Sequence, residues 1–150
     1  MGKQSWKPGN MLYPVPAVLV SCRDKEGNDN VLTIARDLVQ ATDYCGVRSG
    51  KDEDKFAAMH LTKGEAEKIN APIIMESPVN IECKVKQVLE LGSHDMFIAE
   101  VVNVQVSDEY MDEKGAFHMN DADLLAYSHG QYYALGEHLG SFGYSVRKAK

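Results

Sequence analysis

An alternation of apolar and polar residues between positions 79 and 106 constrains this chain more than any other feature. Val79, Ile81, Cys83, Val85, Leu89 and Leu91 alternate with Asn80, Glu82, Lys84, Lys86 and Glu90. A repeat of two is the period of a pleated strand with one covered face. Gly92-Ser93-His94-Asp95 supplies turn residues. Met96, Ile98, Val102, Val104 and Val106 then alternate again, with Phe97, Ala99 and Val101 on the opposite face. The pattern predicts one long hairpin, more buried on its second arm. A long antiparallel hairpin with few, short helices around it predicts a mainly β fold of barrel type.

The flanking segments fit that frame. Ala17 to Cys22 is short, apolar and β-branched, and Asn30 to Ala35 is similar. Both read as strands, and the polar turn between them makes a second hairpin. Residues 36–45 have helical spacing, with Leu38, Ala41 and Cys45 on one face and Asp37 as a possible cap. No Gly or Pro separates this helix from the strand before it, so positions 35/36 read as a seam. A short helix is predicted over Asp52 to Met59, with Phe56 and Met59 inward. Thr62-Lys63-Gly64-Glu65 has the form of a capping box, which predicts a helix over Gly64 to Ile69 that Pro72 stops. Another short helix is predicted over Ala122 to Ala126.

At 150 residues the chain suits one domain, taken here as 1–150. Its formal net charge is -6, and residues 107–123 hold six acidic side chains against Lys114 alone. That balance, with no basic stripe, excludes a nucleic-acid surface. No apolar run is long enough to span a bilayer. The three cysteines, Cys22, Cys45 and Cys83, are widely spaced. They predict no disulfide framework and no metal site, and they suit a reducing, cytoplasmic setting. Cys45 and Cys83 read as core thiols.

Arg48, Ser49, Lys51 and Lys55 form the one basic, Gly-containing loop of note. Backbone amides near Gly50 could form an anion nest there, although such a loop can equally be a solvated surface turn.

Several segments, in order, resemble the flavin reductase-like, FMN-binding split-barrel family, and its flavoredoxin-type branch above all. They are Leu12-Tyr13-Pro14-Val15-Pro16-Ala17, Asn30-Val31-Leu32-Thr33-Ile34-Ala35, Thr42-Asp43-Tyr44-Cys45-Gly46 and Asp54-Lys55-Phe56. Pro78-Val79-Asn80-Ile81-Glu82-Cys83, Leu91 to Ile98 and Ala126-Tyr127-Ser128-His129-Gly130 follow. The resemblance implies an FMN-binding split β-barrel of Greek-key type, here incomplete, that forms a homodimer and holds FMN noncovalently between subunits. It implies hydride transfer from NAD(P)H to flavin, or a flavin-carrying electron-transfer role.

The chain departs from the family after Ala35. Relatives continue through a Trp or similar residue, a Ser-x-x-Pro-Pro-like loop, another strand and a Ser-Arg-rich segment, which typically contact the flavin. Here Arg36 follows directly, at the seam already noted. A third expectation is therefore a truncated, non-catalytic relative that binds FMN weakly.

By family position, Asn30, Thr33, Ile34 and Ala35 are the cofactor-binding candidates near the ring. Ser49 and Lys55 are the candidates for the phosphate. His94 is the candidate catalytic residue, near the open flavin face where a nicotinamide would lie. His129 is a weaker candidate. The plainer reading makes Asn30 and His94 turn residues and Thr33 an ordinary strand residue. An enclosed flavin crevice further requires the early strands to pair with the 79–106 ribbon.

Overall fold

The computed structural model describes residues 15–16, 22–23, 29–30 and 36–147. Nine strands and two short α-helices make a mainly β architecture within them. The strands are β1 (Val15–Pro16), β2 (Cys22–Arg23), β3 (Asp29–Asn30), β4 (Lys63–Glu65), β5 (Pro72–Ile74), β6 (Val79–Glu90), β7 (Asp95–Val106), β8 (Leu125–Ser128) and β9 (Gln131–Ala134). The helices are α1 (Val39–Val47) and α2 (Lys55–Ala58). Among the described residues they form four separate sheets, β1-β8-β9, β2-β3, β4-β5 and β6-β7, and no barrel closes. No helix among them is long and apolar enough to cross a membrane.

The expected ribbon forms. β6 and β7 are each 12 residues long and pair from Val79↔Val106 to Glu90↔Asp95. Leu91–His94 turns the chain, with the Leu91 amide donating to the His94 carbonyl at 3.0 Å. Two register shifts, between Glu82 and Cys83 and between Val85 and Gln87, leave Val102 and Lys86 out of the cross-strand register. A one-residue slip moves each later side chain to the other face. Val88↔Phe97 therefore joins Val79, Ile81 and Val85 on one face, and Leu89↔Met96 moves to the other. The strict alternation read from sequence holds only up to Lys86.

The ribbon's second arm was expected to be the more buried, and it is not. β7 has no buried residue, and β6 buries only Glu82. Ile81, Val85 and Val101 are each 57% exposed and Phe97 is 63% exposed. Cys83, expected in the core, is exposed on the same ribbon. Neither β6 nor β7 pairs with β1, β2 or β3 among the described residues. The anticipated pairing of early strands with the ribbon is thus absent there, and among the described residues no element covers the apolar face.

The early hairpin is visible at its ends, where Cys22 pairs with Asn30 and Arg23 with Asp29. Most of the two expected strands, including Thr33, Ile34 and Ala35, and the seam at 35/36 lie outside the described residues.

The core lies instead between the helices and β5. Ala41, Cys45, Phe56, Leu61 and Ile74 are buried together, with Leu38 and Met59 packed against them. Leu38, Ala41 and Cys45 share a face, as the helical spacing implies. A 3-10 turn over Arg36–Leu38 leads into α1, and Asp37 does not cap the helix. The Thr42 hydroxyl donates back to the Leu38 carbonyl at 2.9 Å. Helix α2 is capped by Asp54, whose carboxylate accepts from the amides of Phe56 at 3.0 Å and Ala57 at 3.3 Å.

Two predicted helices are strands. Residues 63–65 pair with β5 instead of opening a helix. The Thr62 amide, which a capping box would give to Glu65, donates to the Glu76 carboxylate at 2.9 Å. Gly64 permits the close approach, because a Cβ there would stand 2.8 Å from Ile73 Cγ1 and closer still to Met75 Sδ. Likewise, Met119–Ala122 is a 3-10 turn and Leu125–Ser128 is β8. His129 and Gly130, at φ 51° and 83°, close the two-residue loop to β9. Positive φ at both central residues is the mark of a type I′ hairpin turn.

Candidate functional site

The basic loop after α1 does not converge as a nest. Tyr44 donates its hydroxyl to the Glu53 carboxylate at 2.6 Å. That hydrogen bond is the main cause of the raised Tyr44 pKa. Arg48 lies 5.9 Å above the Tyr44 ring, and its Nε stands 3.9 Å from Glu53. Glu53 and Tyr44 thus engage the Arg48 cation. Ser49 Oγ accepts from the Lys51 amide at 3.2 Å, as a turn residue does.

Lys55 behaves differently. It is only 4% exposed, and its Nζ donates to the Cys45 carbonyl at 2.7 Å near the C-terminus of α1. The negative end of a helix dipole favours a cation at that point. An ammonium has three donors. Among the described residues the Cys45 carbonyl is its one hydrogen-bond partner, and no carboxylate pairs with it. A buried ammonium with spare donors fits an anionic group such as the FMN phosphate or the electron-rich edge of the flavin.

His94 sits at the exposed tip of the ribbon, with Nδ1 3.1 Å from Ser93 Oγ. Asn30 stands in β3 opposite Cys22. Among the described residues no hydrogen bond joins His94, Ser49 and Lys55 to one another. His129 is a turn residue. Tyr127 and Tyr132 pair across β8 and β9 with ring centroids 5.3 Å apart at 62°, an edge-to-face contact. Burial, then the Asp43 charge, raises the Tyr132 pKa.

The feature least visible in the sequence is Glu82. It is 1% exposed, and its hydrogen bonds among the described residues come from amides and not from a cation. Its Oε1 accepts from the Glu67 amide at 3.1 Å, Asn103 Nδ2 at 2.7 Å and Gln105 Nε2 at 2.8 Å. Its Oε2 accepts from the Lys68 amide at 2.6 Å. Burial pushes the carboxyl pKa up. The bonds from Gln105, Asn103 and the two amides outweigh burial and bring it down to about 2. Asn80 and Glu82 read in sequence as part of the polar face of a half-exposed strand. The available signal was that Asn80, Glu82, Asn103 and Gln105 are all amides or carboxylates, with Asn80 facing Gln105 and Glu82 facing Asn103 in the register.

A cavity of about 230 Å³ lies beside the loop at 66–70 that carries the Glu67 and Lys68 amides, lined by Arg23, Glu65, Ala66, Ile69, Asn70 and Pro72 among others. Arg23 Nη1 donates to Asn70 Oδ1 across it at 2.8 Å.

Comparison with known proteins agrees with this architecture. An uncharacterized protein of Archaeoglobus fulgidus is 36% identical over 69 residues, 46% of this chain and 39% of that protein. The match therefore spans well under half the length of that relative. The flavoredoxin of Desulfovibrio vulgaris (Miyazaki F) is 25% identical with a TM-score of 0.85, covering 97% of this chain and 100% of that one. The flavoredoxin from Methanosarcina acetivorans, 21% identical, shares the fold with a TM-score of 0.81, covering 97% of this chain and 100% of that one. The model of the flavin reductase like domain matches residues 30–136, and the chain belongs to that family.

Proposed function

We propose that this chain binds FMN and serves as an oxidoreductase-type flavoprotein, with NAD(P)H as the transient hydride donor. The observation that carries the reading is Lys55, a buried ammonium whose single partner among the described residues is a neutral carbonyl at 2.7 Å. FMN is an anion with a planar, partly apolar ring. When bound, it supplies the redox chemistry by accepting a hydride from the nicotinamide. Lys55 would hold the anionic part or ring edge, and Asn30, with Thr33, Ile34 and Ala35 beyond it, would border the ring. Ser49 has a weaker claim, since its hydroxyl already serves a turn. His94, exposed at the ribbon tip, is free to meet a nicotinamide from solvent.

The apolar ribbon face supports a homodimer. Ile81, Val85, Val88, Phe97, Val101 and Val104 all stay more than two fifths exposed on it, and monomers rarely leave such a continuous face open. A second copy of this chain is the proposed cover.

The same exposed face, with the direct passage from Ala35 to Arg36, favours a specific second reading. It is a scaffold that retains only weak FMN affinity, for want of the phosphate partners that relatives carry in the missing block. Titrating FMN into the protein and following flavin fluorescence tests both. The expected result is saturable quenching with a Kd weaker than about 1 μM, lost in Lys55→Met. No quenching at millimolar FMN overturns flavin binding and leaves the scaffold reading. Binding unaffected by Lys55→Met removes Lys55 from the site.

A further inference from the structure

Glu82 is a buried anion that no step of flavin chemistry uses, and its four donors define its work. Two come from β7, Asn103 and Gln105, and two are amides of the 66–70 loop, Glu67 and Lys68. The carboxylate therefore pins that loop to the ribbon. Two residues further along, Asn70 accepts from Arg23 of β2 at 2.8 Å. Arg23 and Cys22 pair in turn with Asp29 and Asn30 of β3.

Apolar packing does little at this joint. A cavity of about 230 Å³ is lined by Arg23 and by residues of the loop, leaving the Arg23–Asn70 hydrogen bond beside open space. Directional hydrogen bonds rather than close packing set the distance there, and bonds to an ionised group are the stronger kind.

We infer that Glu82 is a positioning residue, fixing the 66–70 loop and, through Asn70 and Arg23, the strand that carries Asn30. The flavin consequence rests on the proposed function. The mechanical path from Glu82 to β3 does not.

Glu82→Gln keeps the volume but turns one acceptor into a donor facing other donors. Asn70→Ala cuts the path further on and leaves the carboxylate cluster whole. Hydrogen exchange of the flavin-free protein is the first readout. Glu82→Gln should speed exchange at Glu67, Lys68 and Asn30 by about tenfold, and Asn70→Ala at Asn30 alone by a similar factor. Glu82→Asp, which keeps the charge, should recover part of the protection.

FMN titration is the second readout. Each variant should weaken binding by about tenfold, and the double variant by no more than either alone, because both act on one path. Unchanged exchange at Asn30 in both variants overturns the inference. Multiplying effects in the double variant overturn it as well. Exchange loosened at Asn30 with unchanged FMN affinity supports the path and removes Asn30 from the flavin site. Should Glu82→Gln fail to fold, Asn70→Ala still decides the outcome through Asn30 exchange.

Discussion

Asn80 bonds both backbone groups of Ile74. Its Nδ2 donates to the Ile74 carbonyl at 3.0 Å, and its Oδ1 accepts from the Ile74 amide at 3.1 Å. A side-chain amide thus replaces the ladder partner that β5 lacks on this edge. Ile74 is buried in the core with Phe56 and Cys45, so its backbone groups have little access to water. Asn80→Ala should destabilise the fold by about 1–3 kcal/mol, the cost of stranding the Ile74 amide, while the Ile74 carbonyl keeps the Ser77 amide at 3.1 Å. Asn80→Asp should do no better, because it sets a carboxylate oxygen against the Ile74 carbonyl in place of a donor. Urea unfolding with an unchanged slope and a lower midpoint would bear this out.

Glu82 sets an acid limit. Its folded pKa, about 2, lies below the ordinary carboxyl value of 4.5. A depressed carboxyl contributes stability above its unfolded pKa, and that contribution is lost as pH falls through the folded one. Stability should therefore decline between about pH 4.5 and pH 2. Acid titration followed by circular dichroism should show the decline in the parent and a flatter curve in Glu82→Gln.

His118 closes the acidic loop. Its Nε2 lies 3.0 Å from Asp112 Oδ2, while Asp112 Oδ1 accepts from the Lys114 and Ala116 amides at 2.9 Å each. The Asp112 hydrogen bond raises the His118 pKa, against burial. The Ala116 amide and then His118 lower that of Asp112. Asp121 is the further anion that acts on His118. A raised imidazole stabilises fully below its unfolded pKa, and the contribution disappears as pH rises through the folded value. A proton NMR titration should place the His118 midpoint above the usual imidazole value. Asp112→Asn should lower it from the parent's midpoint.

Gly64 is needed for its lack of a side chain. Replacement by Ala would press a Cβ onto Ile73 and Met75. Gly64→Ala should cost about 1–3 kcal/mol, and Gly64→Val more. A thermal melt that does not move would show that β4 and β5 can separate freely.

His94 should matter for hydride delivery and not for holding flavin. His94→Ala is expected to slow NADH reduction of the bound flavin by about 10²-fold with FMN affinity unchanged. Equal stopped-flow rates in the parent and variant would deprive His94 of the role.

Local signals in the chain were enough for the long ribbon, α1 with its Leu38-Ala41-Cys45 face, a short helix within the predicted Asp52 to Met59 span, which forms at Lys55–Ala58, and the ends of the early hairpin. Each depends on periods or turn residues within a few positions of one another. The capping-box motif at Thr62 misled, because Glu76, 14 positions away, captures the amide that Glu65 was expected to take. His129-Gly130 carried a turn signal that pointed to β8 and β9 in place of a helix ending at Ala126.

By itself the sequence determined the β-rich class, the ribbon and the family, since alternation and ordered motifs are properties of neighbours along the chain. Only the tertiary structure decided that Glu82 is a buried anchor, that Lys55 turns inward to Cys45 and that Arg48 is engaged by Glu53. Those outcomes depend on which distant donors and acceptors meet once water is excluded. The two register shifts in the ribbon belong with them. A single unpaired residue reverses which face is apolar, and nothing in the local pattern announces where it falls.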